Sequence, residues 1–177
     1  MRLKLALALS LALLPSAAFA HTGMGDAHDL LHGFMHPMGG LDHLLAMVAV
    51  GVFAVALGGR ALYAVPAAFV GMMVAGFLLG LAGVQLPFME LVIGASGVVI
   101  AAAAIFGRSM KVAAASALVG TFALFHGVAH GAELPLGASG WEFALGFVLA
   151  TAALHLAGIG ATLAAIRLGG AVAAGKR

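Results

Sequence analysis

The chain has 177 residues, of which 64% are hydrophobic and only 8% charged, and its mean hydropathy is +1.18. Soluble globular domains are far more polar, so this composition predicts an all-α, polytopic bundle of membrane helices. Eight basic residues are scattered singly against six acidic ones, which argues against nucleic-acid binding. Cysteine is absent, so a bound metal would need imidazole, carboxylate, thioether or backbone ligands.

Residues 1–20 have the pattern of a cleavable secretory signal peptide. Two basic residues precede an apolar run at 5–14, and the small-residue sequence Ala-Phe-Ala follows at 18–20. The run is shorter than the roughly 20 residues that cross a bilayer. Cleavage would leave His21 as the new N-terminus and residues 21–35 as a His-rich periplasmic segment.

Five apolar runs follow, each long enough or nearly long enough to span a bilayer: Leu41–Leu57, Ala61–Leu81, Phe88–Phe106, Val112–Val128 and Trp141–Ile166. We therefore predict a transmembrane bundle of about five helices over residues 36–167, followed by a cytoplasmic tail at 168–177. Splitting the last run at Gly158 would give a sixth span, which is the alternative topology.

The basic residues of the mature chain predict its orientation. With the N-terminus in the periplasm, five spans place all of them in two connectors and the tail on the cytoplasmic side: Arg60, Arg108, Lys111, Arg167, Lys176 and Arg177. The positive-inside rule thus predicts a bacterial inner-membrane protein with a periplasmic N-terminus and a cytoplasmic C-terminus.

Residues 28–47 hold four histidines and two aspartates just before and within the first apolar run. We expect Pro37 in the first turn of a helix, with His36 as its cap. At 3.6 residues per turn, His43 would then lie seven residues on and nearly beneath His36. This geometry predicts a metal-binding face at the start of the span.

Two neighbours of His43 are further candidate ligands. Met47 follows His43 at i+4, whereas Asp42 lies about 100° round the helix. Asp42 would either bind the ion or accept a hydrogen bond from a liganding imidazole. Because ionisable residues at membrane depth usually mark transport pathways, we predict four metal-site residues here: His36, Asp42, His43 and Met47.

A second group ends the fourth apolar run, where His126, His130 and Glu133 share one helix face. The pattern resembles the His-Glu-x-x-His motif of zinc proteases, but Gly127 occupies the glutamate position, so no general base is positioned for hydrolysis. In the five-span topology this group reaches the same side of the membrane as the first. We predict that both groups form one metal site.

Other polar residues fall along the expected pathway. His155 lies about 20 Å deep in the last run and is predicted to be an inner metal station, with a core imidazole bonded to a backbone carbonyl as the alternative. Residues outside the spans or at their edge are predicted to gather ions at the entrance, unless the N-terminal segment is a plain polar tail: His21, His28, His32 and Glu90.

An intramembrane serine protease is one rival interpretation. The sequences around Ser96 and His155 resemble the nucleophile and base motifs of rhomboid proteases, so the two residues could form a dyad. The chain has no asparagine, whose amide usually assists the oxyanion in rhomboids, and both His-rich groups would go unused. Haem ligation by His126, His130 and His155 from two spans is a further alternative, and metal binding without transport is another.

Two motifs resemble the signatures of the HupE/UreJ permeases: His36-Pro37-x-x-Gly40-x-Asp42-His43-x-x-x-Met47 and His126-Gly-x-Ala-His130-Gly-x-Glu133. The resemblance covers essentially the whole chain, including a Leu-Pro-x-x-Glu sequence at 86–90 and the Leu-His pair at 154–155. It implies nickel uptake, in some members cobalt uptake, that supplies enzymes such as hydrogenase or urease.

We therefore predict a secondary transporter, and not an enzyme, that takes up Ni²⁺ or else Co²⁺ from the periplasm without an organic cofactor. Imidazole and carboxylate ligands suit nickel, cobalt and zinc alike. No Walker motif is present, so transport would follow the membrane potential or be coupled to an ion. The expected partners are the lipid bilayer and the metal ion, with a homo-oligomer left open.

Overall fold

The computed structural model describes residues 29–134 and 140–174, and the regular structure within these ranges is entirely helical. This confirms the predicted all-α class. The predicted signal peptide and two of the predicted entrance residues, His21 and His28, lie outside the described residues. The helices are α1 (Leu30–Gly39), α2 (Leu41–Leu57), α3 (Ala61–Leu81), α4 (Met89–Phe106), α5 (Val112–Glu133) and α6 (Gly140–Ala174).

Four helices, α3 to α6, are individually long and apolar enough to cross a membrane. Helices α1 and α2 form a pair bent by 90°, which makes a fifth span if it is counted as one. The prediction of about five spans is confirmed at this level. The six-span alternative is wrong, because α6 continues through Gly158 without a break.

Helix α1 begins earlier than expected because Asp29 caps it. The Asp29 carboxylate accepts a hydrogen bond of 2.7 Å from the backbone amide of His32. The helix therefore starts at Leu30, and Pro37 lies in its last turn. The expectation that Pro37 opens a helix capped by His36 is wrong.

Gly40 separates α1 from α2 and turns the chain. Its backbone is extended, with φ −115° and ψ 123°, so the helical hydrogen bonds of α1 do not continue into α2. His36 and His43 consequently lie on two helices at 90° to each other. The prediction that they share a face of one continuous helix is wrong, although both still reach the same site.

Glycines allow α3 and α5 to pack at backbone contact. A Cβ atom at Gly76 would collide with the carbonyl of Leu124, and one at Gly80 with the carbonyl of Val128. Gly127 lies equally close to the backbone of α3. Such approach is typical of membrane helices, where lipid gives no hydrophobic drive for association. Residue numbers increase in the same direction on both helices from one contact to the next, so α3 and α5 run parallel. Spans separated by one intervening span must be parallel, as these two are.

Helix α6 packs in the same way on both halves of the bent pair. Gly33 of α1 and Gly146 of α6 each leave room only for the backbone of the other helix. Further along, Gly51 of α2 and Gly158 of α6 make the corresponding contact. Helix α6 therefore holds the bent pair in place.

The core between these helices is apolar with a few polar exceptions. Large side chains such as Phe53, Phe69 and Phe147 are at most 2% exposed. Helix α4 lies at the side of the bundle, packing mainly on α2. The buried polar residues of the described chain are Ser96, His126, His130, Thr151 and His155.

Candidate metal centre

Four histidines from three helices converge at one end of the bundle. His43 Nε2 lies 3.0 Å from His130 Nε2, and the rings of His43 and His126 are 4.8 Å apart between centroids. The ring of His36 lies 4.7 Å from that of His130. The two groups predicted from sequence thus form a single feature, hereafter the histidine cluster: His36, His43, His126 and His130.

The cluster offers two overlapping sets of ligands. In each set, three ligand atoms lie within 4.8 Å of one another. The buried set comprises His43, His126 and His130, whereas the exposed set comprises His36, His130 and Glu133. Nitrogen ligands at about 2.1 Å from an ion are roughly 3–4 Å apart, so small side-chain rotations would close either set around one. His130 belongs to both.

Asp42 orients His43. Its Oδ1 lies 3.2 Å from His43 Nδ1, on the side of the ring away from His130. A carboxylate accepts, so we assign the proton of the neutral imidazole to Nδ1, which leaves the Nε2 lone pair facing the cluster. Of the two roles considered for Asp42, this contact favours hydrogen bonding to a ligand.

Glu133 occupies the solvent-facing edge of the cluster. Its Oε2 lies 3.7 Å from Nδ1 of His130, one turn earlier on α5. The Glu133 side chain is 45% exposed, whereas that of His130 is 5% exposed. The exposed set therefore connects a carboxylate that solvent can reach with an imidazole that it cannot.

Ser96 contacts His126 and not His155. Its Oγ lies 3.0 Å from His126 Nε2 and donates a hydrogen bond of 2.6 Å to the Ile93 carbonyl. Both ring nitrogens of His155 lack a hydrogen-bond partner in the described part of the chain. The rhomboid-like dyad of Ser96 and His155 is therefore not formed.

His155 lies apart from the cluster on α6, with 1% of its surface exposed. Its ring packs edge-on against Phe69 at 5.1 Å, and Phe69 also lies 6.1 Å from His126. The alternative of a core imidazole bonded to a carbonyl is wrong, since neither nitrogen has such a partner among the described residues. One phenylalanine ring thus contacts both His155 and the cluster.

Three further predicted residues differ in their exposure, and neither His32 nor Glu90 belongs to a ligand set in the described part of the chain. His32 is half-buried, and its ring lies 6.4 Å from that of His36. Met47 is completely buried one turn beyond His43. Glu90 is exposed in the first turn of α4.

Sequence reasoning missed the residues that support the cluster. Phe147 packs 4.6 Å from His130 and Phe143 packs 5.3 Å from His36, both measured between ring centroids. Gly127 and Gly131, which directly follow the two α5 histidines, let α5 lie against α3. The repeated His-Gly pair and the aromatic pair at i, i+4 were the available signals.

These features define a class: a polytopic helical membrane protein with a histidine cluster at one end of its bundle. The family model described as HupE / UreJ protein matches residues 9–175. The chain is 43% identical over 166 residues to Protein HupE of Rhizobium leguminosarum bv. viciae, a match that covers 94% of this chain and 85% of that protein. The chain belongs to the HupE/UreJ family of membrane permeases. No solved structure matches it.

Proposed function

We propose that this protein is a secondary permease that carries Ni²⁺ from the periplasm to the cytoplasm for metalloenzyme maturation, with Co²⁺ as the alternative substrate. The observation that supports this function best is the buried set, where three imidazoles from two helices bring ligand atoms within 4.8 Å of one another. Buried polar groups are normally hydrogen-bonded, so such a cluster in an apolar bundle indicates a ligand.

The ligand types fit the proposed substrate. Imidazole and carboxylate bind divalent nickel and cobalt well, whereas a copper(I) carrier would use sulfur ligands. The chain has no cysteine, so no thiolate ligand is available, and the clustered ligand atoms of both sets come from histidine and glutamate. Nickel is preferred over cobalt and zinc because the family resemblance implies it.

Sharing of His130 by the two sets suggests a path. An ion first held by His36, His130 and Glu133 would exchange Glu133 and His36 for His43 and His126 while His130 stays bound. Replacing ligands one at a time avoids a bare ion inside the bundle, which would be very costly in a low dielectric. His155, beyond Phe69, would be the next station inward.

The membrane potential is a sufficient driving force under this proposal. Moving an ion of two charges inward across 100 mV is worth about 4.6 kcal/mol, which corresponds to about two-thousandfold accumulation. We place the cluster on the periplasmic side because Arg60, Arg108 and Lys111 occupy the connectors at the other end of the helices.

Whole-cell uptake of radioactive nickel tests the proposed function. We expect alanine variants of His36, Asp42 and His43 to lose uptake at equal protein levels. Thr121→Ala should transport normally, since Thr121 is exposed and its hydroxyl donates to the Ala117 carbonyl of its own helix. Uptake like that of the wild type in all three site variants would show that the site is wrong.

Purified protein in liposomes separates transport from binding. A metal-sensitive dye trapped inside should respond to external Ni²⁺ when an inside-negative potential is imposed. Competition by Co²⁺ and Zn²⁺ then ranks the substrates. Tight metal binding without any dye response would instead support an accessory protein that binds metal without transporting it.

A further inference from the structure

Ser96 is the single polar side chain that α4 buries within the described chain, and it lies against the histidine cluster. It is 0% exposed, and its hydroxyl makes two contacts. One is the bond of 2.6 Å to the carbonyl of Ile93, and the other is the distance of 3.0 Å to Nε2 of His126. Helix α4 provides no member of either ligand set among the described residues, and Ser96 contacts the buried set through its side chain.

The two contacts determine where the protons lie. A serine hydroxyl has one hydrogen, and a carbonyl oxygen can only accept. The hydrogen of Ser96 is therefore donated to the Ile93 carbonyl. It follows that Ser96 Oγ accepts from His126, so that Nε2 of His126 carries a hydrogen.

The other nitrogen of His126 is then fixed as well. A neutral imidazole carries one hydrogen, so Nδ1 has a free lone pair. Nδ1 is fully buried and has no hydrogen-bond partner in the described part of the chain. His126 belongs to the buried set, and since Nε2 is occupied by Ser96, Nδ1 is the nitrogen able to bind an ion there.

We propose that Ser96 is a positioning residue, which holds His126 in the Nε2–H tautomer and thereby presents Nδ1 as a metal ligand. This inference rests on the proposed function, in which the buried set binds the transported ion. Partners that fix the tautomer and the ring orientation of a liganding histidine are common at metal sites. Here a serine on a neighbouring helix has that role, where Asp42 has it for His43.

The tautomer can be measured without any metal. Protein with ¹⁵N-labelled histidine in lipid bilayers distinguishes protonated from unprotonated ring nitrogens by their nitrogen chemical shifts, and a His126→Gln sample assigns the signal. We expect wild-type His126 to carry its proton on Nε2. A wild-type signal from the Nδ1–H form would overturn the proposal whatever any variant does.

Substitution of Ser96 tests the cause. In Ser96→Ala the His126 signal should change to a mixture of tautomers, while Thr121→Ala, which removes a hydroxyl bonded to a backbone carbonyl in the same helix as His126, should leave it unchanged. Ser96→Thr, which keeps a hydroxyl, should retain the Nε2–H form. An unchanged tautomer in Ser96→Ala would show that Ser96 does not set it.

Metal affinity links the tautomer to the function. We expect Ni²⁺ binding by Ser96→Ala to weaken by about 10- to 100-fold, the range typical for partners of metal ligands, and Ser96→Thr to restore it. If His126→Gln bound nickel like the wild type, the buried set and the proposed function would fail. If that variant lost binding but Ser96→Ala did not, the site would stand and the role of Ser96 would fail.

Discussion

The histidine cluster and His155 are two buried histidine environments in one bundle, and they differ in their partners. In the cluster, Asp42 lies 3.2 Å from Nδ1 of His43 and Ser96 Oγ lies 3.0 Å from Nε2 of His126, while the Glu133 carboxylate is 3.7 Å from Nδ1 of His130, beyond hydrogen-bond distance. His155 is as deeply buried, yet within the described chain its ring nitrogens have no hydrogen-bond partner, and Phe69 covers one edge of the ring.

This difference in hydrogen-bond partners indicates that histidine has one function in the cluster and another at position 155. Partners that orient an imidazole make it a better ligand and are expected where an ion is held. An imidazole without a hydrogen-bond partner offers one ligand atom, but nothing fixes its tautomer or its ring orientation. Such a group is suited to brief contact with a passing ion. We expect the cluster to determine metal affinity and His155 to affect the rate of passage, and the following experiments test that division in order of their effect on affinity.

The largest effect is expected for His130→Ala, because His130 belongs to both ligand sets. Equilibrium Ni²⁺ binding by the purified protein should weaken by more than about 100-fold, beyond the range typical of partners to a ligand. His155→Ala is the matched control, since it removes an equally buried imidazole outside the cluster. Equal losses in the two variants would contradict the division.

Asp42→Asn should weaken Ni²⁺ binding by about 10- to 100-fold. The amide can present its NH₂ group to His43 Nδ1 and so favour the wrong tautomer, although the size of the side chain is unchanged. Isothermal titration calorimetry would measure the affinity. Binding like that of the wild type would show that the contact of 3.2 Å between Asp42 and His43 has no part in the metal site.

Gly127→Ala should have a smaller and indirect effect on affinity. The new methyl group would meet the carbonyl of Met73, so α5 must move away from α3 next to His126. We expect a loss of about 1–3 kcal/mol in stability, measured by thermal unfolding in detergent, and a few-fold weaker Ni²⁺ binding.

Gly71→Ala is the control for this change, because Gly71 lies on α3 and a methyl group added there would have no described atom of a neighbouring element within 4 Å. Its stability should be unchanged or raised by at most about 1 kcal/mol. Similar losses of stability in Gly127→Ala and Gly71→Ala would mean that the contact between α5 and α3 does not explain the effect of the Gly127 substitution.

The smallest effect on affinity is expected for His155→Leu, which keeps an apolar group against Phe69. Equilibrium Ni²⁺ binding should change by less than about twofold, because His155 belongs to neither ligand set and leucine keeps the apolar contact with Phe69, which also packs near His126. Flux into liposomes should fall nevertheless, because the next ligand inward is missing. Normal flux would remove His155 from the pathway and leave it as a packing residue.

Much of the architecture could be predicted because a bilayer imposes it. Apolar runs of about 20 residues have few alternatives to membrane helices, and their number and bounds agree with α2 to α6 within a few residues at most ends. Helix α1 was missed because its signal is short. Asp29 and the Gly39-Gly40 pair are sequence signals for a helix cap and a helix break, but Pro37 favours a helix start and so points to a later one.

The candidate site was predicted in part. Spacing on α5 placed His126 and His130 on one face, and topology placed them on the same side as His36 and His43. Spacing could not show that Ser96 bonds to His126, since the two lie on different helices and thirty positions apart. For the same reason the Ser96 and His155 pair looked plausible until the fold separated them.

The sequence by itself determined the membrane-helix class, the apolar runs and the types of ligand available, because hydrophobicity and donor chemistry are properties of the residues alone. Only the tertiary structure decided the 90° bend at Gly40, the sharing of His130 between two ligand sets and the pairing of Ser96 with His126. Those depend on how closely helices approach, and that is set by backbone contacts at glycines distant in the chain.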